Sequence, residues 1–399
     1  MKRTGMIPPH ESSPLRMLIG GIFGMMVAMG IGRFAFTPIL PLMQRDLGVS
    51  HGLAGGLAAV NYAGYMAGAL LCAVWPQLLR SRVVNIGALF VCIASIWCMG
   101  FTDVPIIWGG LRIVAGFASA ILFVAIAIEV AEKLQRTQHV RWGSALYGGI
   151  GLGIALSGAV VPFLDRAGGW RAAWIGLGMI SILLAAAGVL IAGKRQSTVP
   201  VCDIPTVGSA RLQGLGRLAL AYFLEGVGYI VSATFLVTMI AHTPGLSPYA
   251  PWSWVAVGLA AAPSTIIWQQ LAHRIGVRAA LTAAYFLQSV GILLSSVASQ
   301  PWSAGLAAVI FGGTFLGIVA LAMGEGGRRA GSEGRRAAAV MTVCFGGGQV
   351  IGPLMGGLLA DRHGDFTLSL LLAGAVVAIG GILVATDRGF SRSPDAGKG

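Results

Sequence analysis

The sequence predicts an all-α integral membrane protein with twelve transmembrane helices in two pseudo-symmetric six-helix bundles. Three observations predict it. Hydrophobic residues fill 56% of the 399 positions and charged residues only 10%, against about 25% charged in soluble domains. The apolar segments are long and the breaks short, so crossings of ~20 residues each use up nearly the whole chain. The basic residues fall in alternate breaks, as membrane orientation requires.

Taken in order, the expected spans are 16–43, 52–79, 83–101, 105–130, 143–164, 172–193, 217–241, 252–272, 279–299, 303–324, 337–360 and 367–386. The first follows a polar start and is too long for a signal-peptide core. No cleavage site follows it, so it is expected to stay as a helix. With the N-terminus inside, 21 lysines and arginines lie in inner segments and 4 outside, namely Arg45, Arg166, Arg171 and Arg362. Misplacing one helix would scramble this alternation, which supports twelve crossings and two cytoplasmic termini. The net charge of +13 is therefore an orientation signal, and nucleic acid is not an expected partner; the lipid bilayer is. The 60 glycines suit close helix contact in lipid.

The longest polar break runs from Lys194 to Gly216 and holds Pro200, Pro205, Gly208 and Gly214. It divides the chain into an N-terminal bundle (1–193), a flexible cytoplasmic linker (194–216) and a C-terminal bundle with a short tail (217–399). An internal repeat supports this division. Trp75, Gln77 and Leu78 recur as Trp268, Gln270 and Leu271 at the ends of the second and eighth spans. The glycine face Gly149 to Gly158 of the fifth span recurs at nearly the same offset as Gly348, Gly352, Pro353, Gly356 and Gly357 of the eleventh. These glycines either pack helices tightly or form a seam that rocks, and Pro353 favours a local kink.

Three ionisable residues stand well inside spans: Arg33, Arg112 and Glu225. An arginine at mid-span costs at least ~2.5–3.5 kcal/mol, so it is retained where it faces a cavity or a partner. Glu225 lies ~12 Å from the inner end of its span and Arg33 ~15 Å from the outer end of its own. In a core ~30 Å thick these depths nearly meet. The two are expected to form a pair between the halves, fixed or alternately made and broken, the alternative being that Glu225 simply faces water. Arg112 is shallower, ~9 Å from the outside. Tyr222, Glu225 and Tyr229 share a helical face by spacing, as do Asn61 and Tyr65, and Tyr62 and Tyr65. With Tyr147, Trp268, Gln288 and Gln349 they are candidate lining residues, since a pocket needs only a few placed polar groups. Packing or an interfacial position is the alternative for each aromatic. Glu129 and Glu325, beside Lys133 and Arg328, read as solvated pairs near helix ends.

Several functions are excluded. The six histidines lie in loops or at ends without ligand spacing, and the five cysteines have no CxxC, so no metal is expected. The glycine runs follow no strand and contain no GxxxxGK[ST], so neither a nucleotide site nor ATP-driven transport is supported. No nucleophile, base and orienter set stands out. The chain is expected to be neither an enzyme nor a cofactor carrier.

Leu271-Ala272-His273-Arg274-Ile275-Gly276-Val277-Arg278 resembles the LADRxGxR loop motif of the major facilitator superfamily, with His273 at the usual aspartate. The loop near Arg80 to Arg82 lacks that pattern. Gly348 to Gly357 is similar to the superfamily's GxxxGPxxGG element, and Arg112 to Ala120 to its RxxxGxxxA element. The run Gly30 to Met43, Asn61 to Tyr65 and Glu225 to Leu236 most resemble the YbfB/YjiJ group. The resemblance implies a secondary transporter of a bacterial inner membrane. Its first, fourth, seventh and tenth helices would line a central cavity and its two halves would rock. It implies a role in gating or packing for Arg274, Gly276, Arg278 and the glycine face. The expected cargo is a small metabolite, in particular an organic anion, with protons as the coupling ion and Arg33, Arg112 and Glu225 as substrate or coupling residues. A monomer is expected to suffice. The alternatives are a proton-coupled exporter of amphipathic compounds and a non-transporting receptor on the same scaffold.

Overall fold

A computed structural model describes residues 13–193 and 214–390. Most of the expected linker 194–216 therefore lies outside the described residues, as do Cys202 and the tail beyond Phe390. The helices are α1 (Pro14–Met25), α2 (Phe36–Leu47), α3 (His51–Val74), α4 (Arg82–Cys98), α5 (Pro105–Arg136), α6 (Gly148–Ala192), α7 (Gly216–His242), α8 (Ala250–Ile275), α9 (Val277–Ser296), α10 (Pro301–Ala330), α11 (Gly334–His363) and α12 (Thr367–Ala385). Their ends follow local chemistry. Ser13, Ser50 and Ser81 cap α1, α3 and α4 through their hydroxyls. Pro105 and Pro301 open α5 and α10. Gly276, at φ 86°, separates α8 from α9 in a conformation that glycine tolerates.

Among the described residues, 11 stretches are long and apolar enough to cross a membrane. The difference from twelve lies in Val140–Ala192, a single stretch of 53 residues. The backbone leaves helical geometry at Gly168 and Gly169. Gly149 and Gly188 both lie against the first half of the first crossing, at Ile22 and Gly20, whereas Gly169 lies beside Asp46 at its other end. The chain thus reverses at Gly168–Gly169, and this stretch contains two crossings. Large apolar side chains such as Val83, Ile106 and Leu190 are at least 80% exposed, which suits a surface facing lipid tails.

The first crossing, Pro14–Leu47, is one helical stretch whose middle departs from α geometry. Between α1 and α2 run a π-helical segment, Met26–Ile31, and a turn over 32–35. The Gly32 N–H bonds the Val27 carbonyl at 2.9 Å, five residues back. Periodicity carries no trace of this break. The adjacent glycines Gly30 and Gly32 were its only sequence signal. Both lie against backbone: a Cβ on Gly30 would meet Gly153 and the Ile150 carbonyl.

The glycine faces organise both bundles. Gly149 and Gly153 of α6 pack on the α1–π segment, at Ile22 and Met26. Gly348 and Gly352 of α11 pack in the same way on α7, at Phe223 and Val227, and Gly356 meets Val231. The opposite sides of the same helices meet the other bundle. Gly151 and Gly158 face Gly258, Ala262 and Val255 of α8. Gly357 faces the His51 carbonyl of α3, and the Pro353 carbonyl faces Gly55 of α3. A Cβ at Gly151 would sit 2.6 Å from the Gly258 carbonyl oxygen, and backbone there cannot yield. Gly151→Val should therefore lose about 1–3 kcal/mol through overpacking. Gly109→Ala, with nothing within 4 Å, should leave stability equal or higher. Thermal unfolding in detergent compares the two, and equal melting would show that the seam is loose.

At the end where α12 finishes, Glu325 is not the solvated partner expected from sequence. Its side chain is 1% exposed and accepts from Arg328 at 2.6 Å and Arg329 at 2.8 Å, while Arg329 also reaches Asp387 at 2.7 Å. Arg217 and Arg278 donate to the last carbonyls of α12, at Thr386 and Ala385. Such bonds satisfy orphan groups at a helix C-terminus. Arg274 is exposed.

Candidate functional site

Arg33 sits in the break of the first crossing and is 3% exposed. The break brings its guanidinium onto α3, with Cζ 4.7 Å from the Tyr62 ring centroid and 4.2 Å from that of Tyr65. Phe34 lies 5.5 Å away. These ring faces attract the cation, by ~0.5–2 kcal/mol each. Among the described residues no carboxylate pairs with Arg33. Its Nε and Nη2 have no hydrogen-bond partner. Those two nitrogens share one edge of the guanidinium, the fork that a carboxylate can bridge with two parallel hydrogen bonds.

A cavity of about 710 Å³ extends from Arg33 to Pro76, Leu79, Ile128, Gln269 and Met323. Those residues lie toward the end at which α3 and α10 finish, which is also the end at which α1 begins and α12 finishes. Among the described residues that line the cavity, Arg33 alone carries a charge, with no Asp, Glu or Lys. The walls are otherwise apolar and aromatic, with a few polar groups including Thr265, Gln269 and Gln349.

The opposite end is closed by contacts between the bundles. The Thr37 hydroxyl donates to the Ala233 carbonyl at 2.5 Å. Phe34 meets Trp254 and Phe315, with centroids 6.5 and 6.3 Å apart. The Asp361 carboxylate accepts from the backbone N–H groups of His51 and Gly52, both at 2.8 Å. An acidic group at the first turn of α3 is favoured by the helix dipole. Sequence reading missed Asp361, although its place at the end of a glycine-faced helix was visible.

The candidate lining residues divide. Tyr65, Tyr147, Tyr222, Tyr229 and Gln349 line the cavity. Asn61 instead donates from Nδ2 to the Arg112 carbonyl at 2.7 Å and ties α3 to α5. Tyr62 lies under Arg33, behind the cavity wall. The Trp268 indole donates to the Gly313 carbonyl at 2.7 Å and ties α8 to α10. Arg112 is buried, with Cζ 4.7 Å from the Phe36 centroid, Nε 3.4 Å from the Leu57 carbonyl and Nη2 without a partner. It does not line the cavity.

Glu225 is fully buried but is not paired with Arg33 in this structure. Its Oε1 accepts from Gln288 Nε2 of α9 at 2.6 Å, and its Oε2 has no partner. The reason is rotational. Three residues along an α-helix turn the side chain ~60° short of a full turn. Tyr222 and Tyr229 face the cavity, and Glu225 falls on the flank toward α9. Depth along the membrane normal was legible, but not this rotation.

Three comparisons with known proteins bear on this arrangement. A family model described as "Uncharacterised MFS-type transporter YbfB" matches residues 25–385. The chain is 26% identical over 389 residues to human monocarboxylate transporter 11, covering 90% of this chain and 79% of the relative. It is 28% identical over 250 residues to a chloramphenicol resistance protein of Streptomyces lividans, covering 58% of this chain and 59% of the relative. Among solved structures, a point mutant of the nucleoside transporter NupG aligns with a TM-score of 0.70 at 12% identity, covering 93% of this chain and 98% of that one. At that identity the likeness is one of fold.

Proposed function

Because the chain belongs to the YbfB-type family of major facilitator transporters, we propose that it moves a small organic carboxylate across the membrane by alternating access, driven by protons. The observation that carries this reading is the free Nε–Nη2 edge of Arg33, buried beside a cavity without an acidic residue. A buried guanidinium lacking a counter-charge costs several kcal/mol. An anionic cargo that supplies the charge recovers part of that cost. Two charge-assisted hydrogen bonds from one edge also favour planar carboxylates over spherical anions.

The rest of the molecule supports a cycle. If both termini are cytoplasmic, as the lysine and arginine asymmetry predicts, the cavity faces inward in an inner membrane. Opening the other side would break the Thr37–Ala233 and Asp361–His51 contacts and slide the glycine seams between the two halves, 1–193 and 217–399. Substrate and proton sites near the midplane between two halves are the rule for such folds. Glu225, sealed against Gln288, is the proposed proton carrier, and one chain contains all of these parts. The human relative's name, a monocarboxylate transporter, agrees with the proposed cargo. The resistance protein's name and the apolar walls support the rival reading, export of amphipathic compounds.

Flux in proteoliposomes of purified protein separates the two. Labelled monocarboxylates should accumulate under an imposed inward proton gradient and compete with one another. Flux of neutral amphipaths alone, with no carboxylate moved, would reverse the assignment. Absence of any flux would favour the receptor alternative.

A further inference from the structure

The carboxylate edge explains only one corner of a large cavity. Its C-terminal wall is a ladder of nearly parallel rings. Tyr222 and Phe345 stack with centroids 4.3 Å apart at 10°. Phe345 and Tyr229 follow at 5.4 Å and 6°, and Tyr229 and Phe315 at 5.9 Å and 9°. Each of these four rings lies within 10° of its neighbour's plane, so they share a common orientation. Random core packing gives tilted and edge-on pairs as readily, and elsewhere in this chain it does so, as at Phe34–Phe315 with 70°. The ladder also reaches the charge: its last ring, Phe315, meets Phe34, the residue next to Arg33. Phe345 is only partly buried and lines the cavity, with Tyr222 and Tyr229 stacked on its two faces, so the ladder presents ring edges to whatever enters.

We infer that the cargo is an aromatic carboxylate, its acid group on the Nε–Nη2 edge of Arg33 and its ring aligned with the Tyr222–Phe345–Tyr229 ladder. This rests on the carboxylate reading above and narrows it. The guanidinium is itself covered by the Tyr62 and Tyr65 faces, and its Nε–Nη2 edge is buried without a partner, so a flat head group reaches that edge once the cavity wall beside it shifts. A flat ring joined to that group then continues into a site whose walls already have the matching orientation. A short aliphatic acid would satisfy Arg33 and leave the ladder unused.

The test is competition against labelled benzoate uptake in proteoliposomes of the full chain, with four competitors. Benzoate should compete at a concentration roughly three- to tenfold lower than cyclohexanecarboxylate, which has the same carbon count and no π face. Propionate should be weaker still, and benzamide, a ring without charge, should be inert. In Phe345→Leu the preference for benzoate over cyclohexanecarboxylate should shrink to less than about twofold. Equal competition by the saturated ring, stronger competition by propionate, or an unchanged preference in Phe345→Leu would overturn the aromatic inference and leave the carboxylate reading intact. Uptake of benzamide or other neutral compounds with no carboxylate moved would overturn the carboxylate reading itself.

Discussion

Arg33→Gln should abolish carboxylate flux while leaving the folded protein at least as stable as wild type. Each hydrogen bond to a charged partner contributes about 1.5–3 kcal/mol, and the Nε–Nη2 edge offers two. Losing both lowers the apparent affinity by at least about 100-fold, so flux at sub-saturating substrate should fall to background. Stability moves by different quantities. The variant loses ring contacts to Tyr62 and Tyr65 worth ~0.5–2 kcal/mol each. It also relieves a charge whose insertion costs at least ~2.5–3.5 kcal/mol. The two nearly cancel, so melting in detergent should be unchanged or slightly higher. Arg33→Lys keeps the charge but loses the fork, and should retain a residual flux about 10- to 100-fold below wild type. If Arg33→Gln moves carboxylates normally, the arginine is structural and the proposed cargo has no receptor. If instead the variant fails to fold, the ring cage around the guanidinium is the main stabiliser of the broken crossing.

The predicted fold and the candidate site were legible in the sequence to different depths. Spans follow from the length of apolar runs, so the ends of α3 to α5 and α7 to α12 lie within six residues of expectation. The seams were legible too, because glycine runs at matching offsets point to backbone contact. They pack on α1 and α7 on one side and on α8 and α3 on the other. Three features were not legible. The π-helical break beside Arg33 depends on Gly30 and Gly32 meeting Gly153, Ile150 and Cys92 across the bundle, a contact with no local period. The partner of Glu225 depends on a rotation of ~60° about α7 that decides between the cavity and α9. The closing contact of Asp361 depends on which helix begins opposite the end of α11. Arg33 was identified early because membrane insertion penalises it whatever its neighbours are, whereas a partner is a property of two elements and needs their docking.

Glu225→Gln should separate transport from its driving force. The side chain is replaced by its neutral isostere, which keeps a carbonyl oxygen to accept from Gln288 Nε2 and cannot release a proton. Removing the proton therefore changes little in the packing of α7 against α9. Wild-type protein should accumulate carboxylate well above equilibrium under an imposed inward proton gradient. The variant should reach equilibrium and stop, a drop of at least about tenfold in accumulation. Counterflow, in which labelled substrate exchanges with unlabelled substrate and no gradient is needed, should stay within about threefold of wild type. This split follows from placement. Arg33, the proposed cargo residue, and Glu225, the proposed proton carrier, lie in different bundles with no ion pair between them in this structure. Coupling must then pass through α7, whose Tyr222 and Tyr229 face the cavity on either side of Glu225. Ionising a carboxyl group whose Oε2 has no partner is costly in a closed bundle. The bundle must therefore hydrate or repack around it, which would shift α7 and the ring ladder it carries. If Glu225→Gln accumulates substrate like wild type, the proton travels elsewhere and Glu225 only ties α7 to α9. If counterflow is lost with accumulation, the residue is needed for the conformational change itself rather than for the proton.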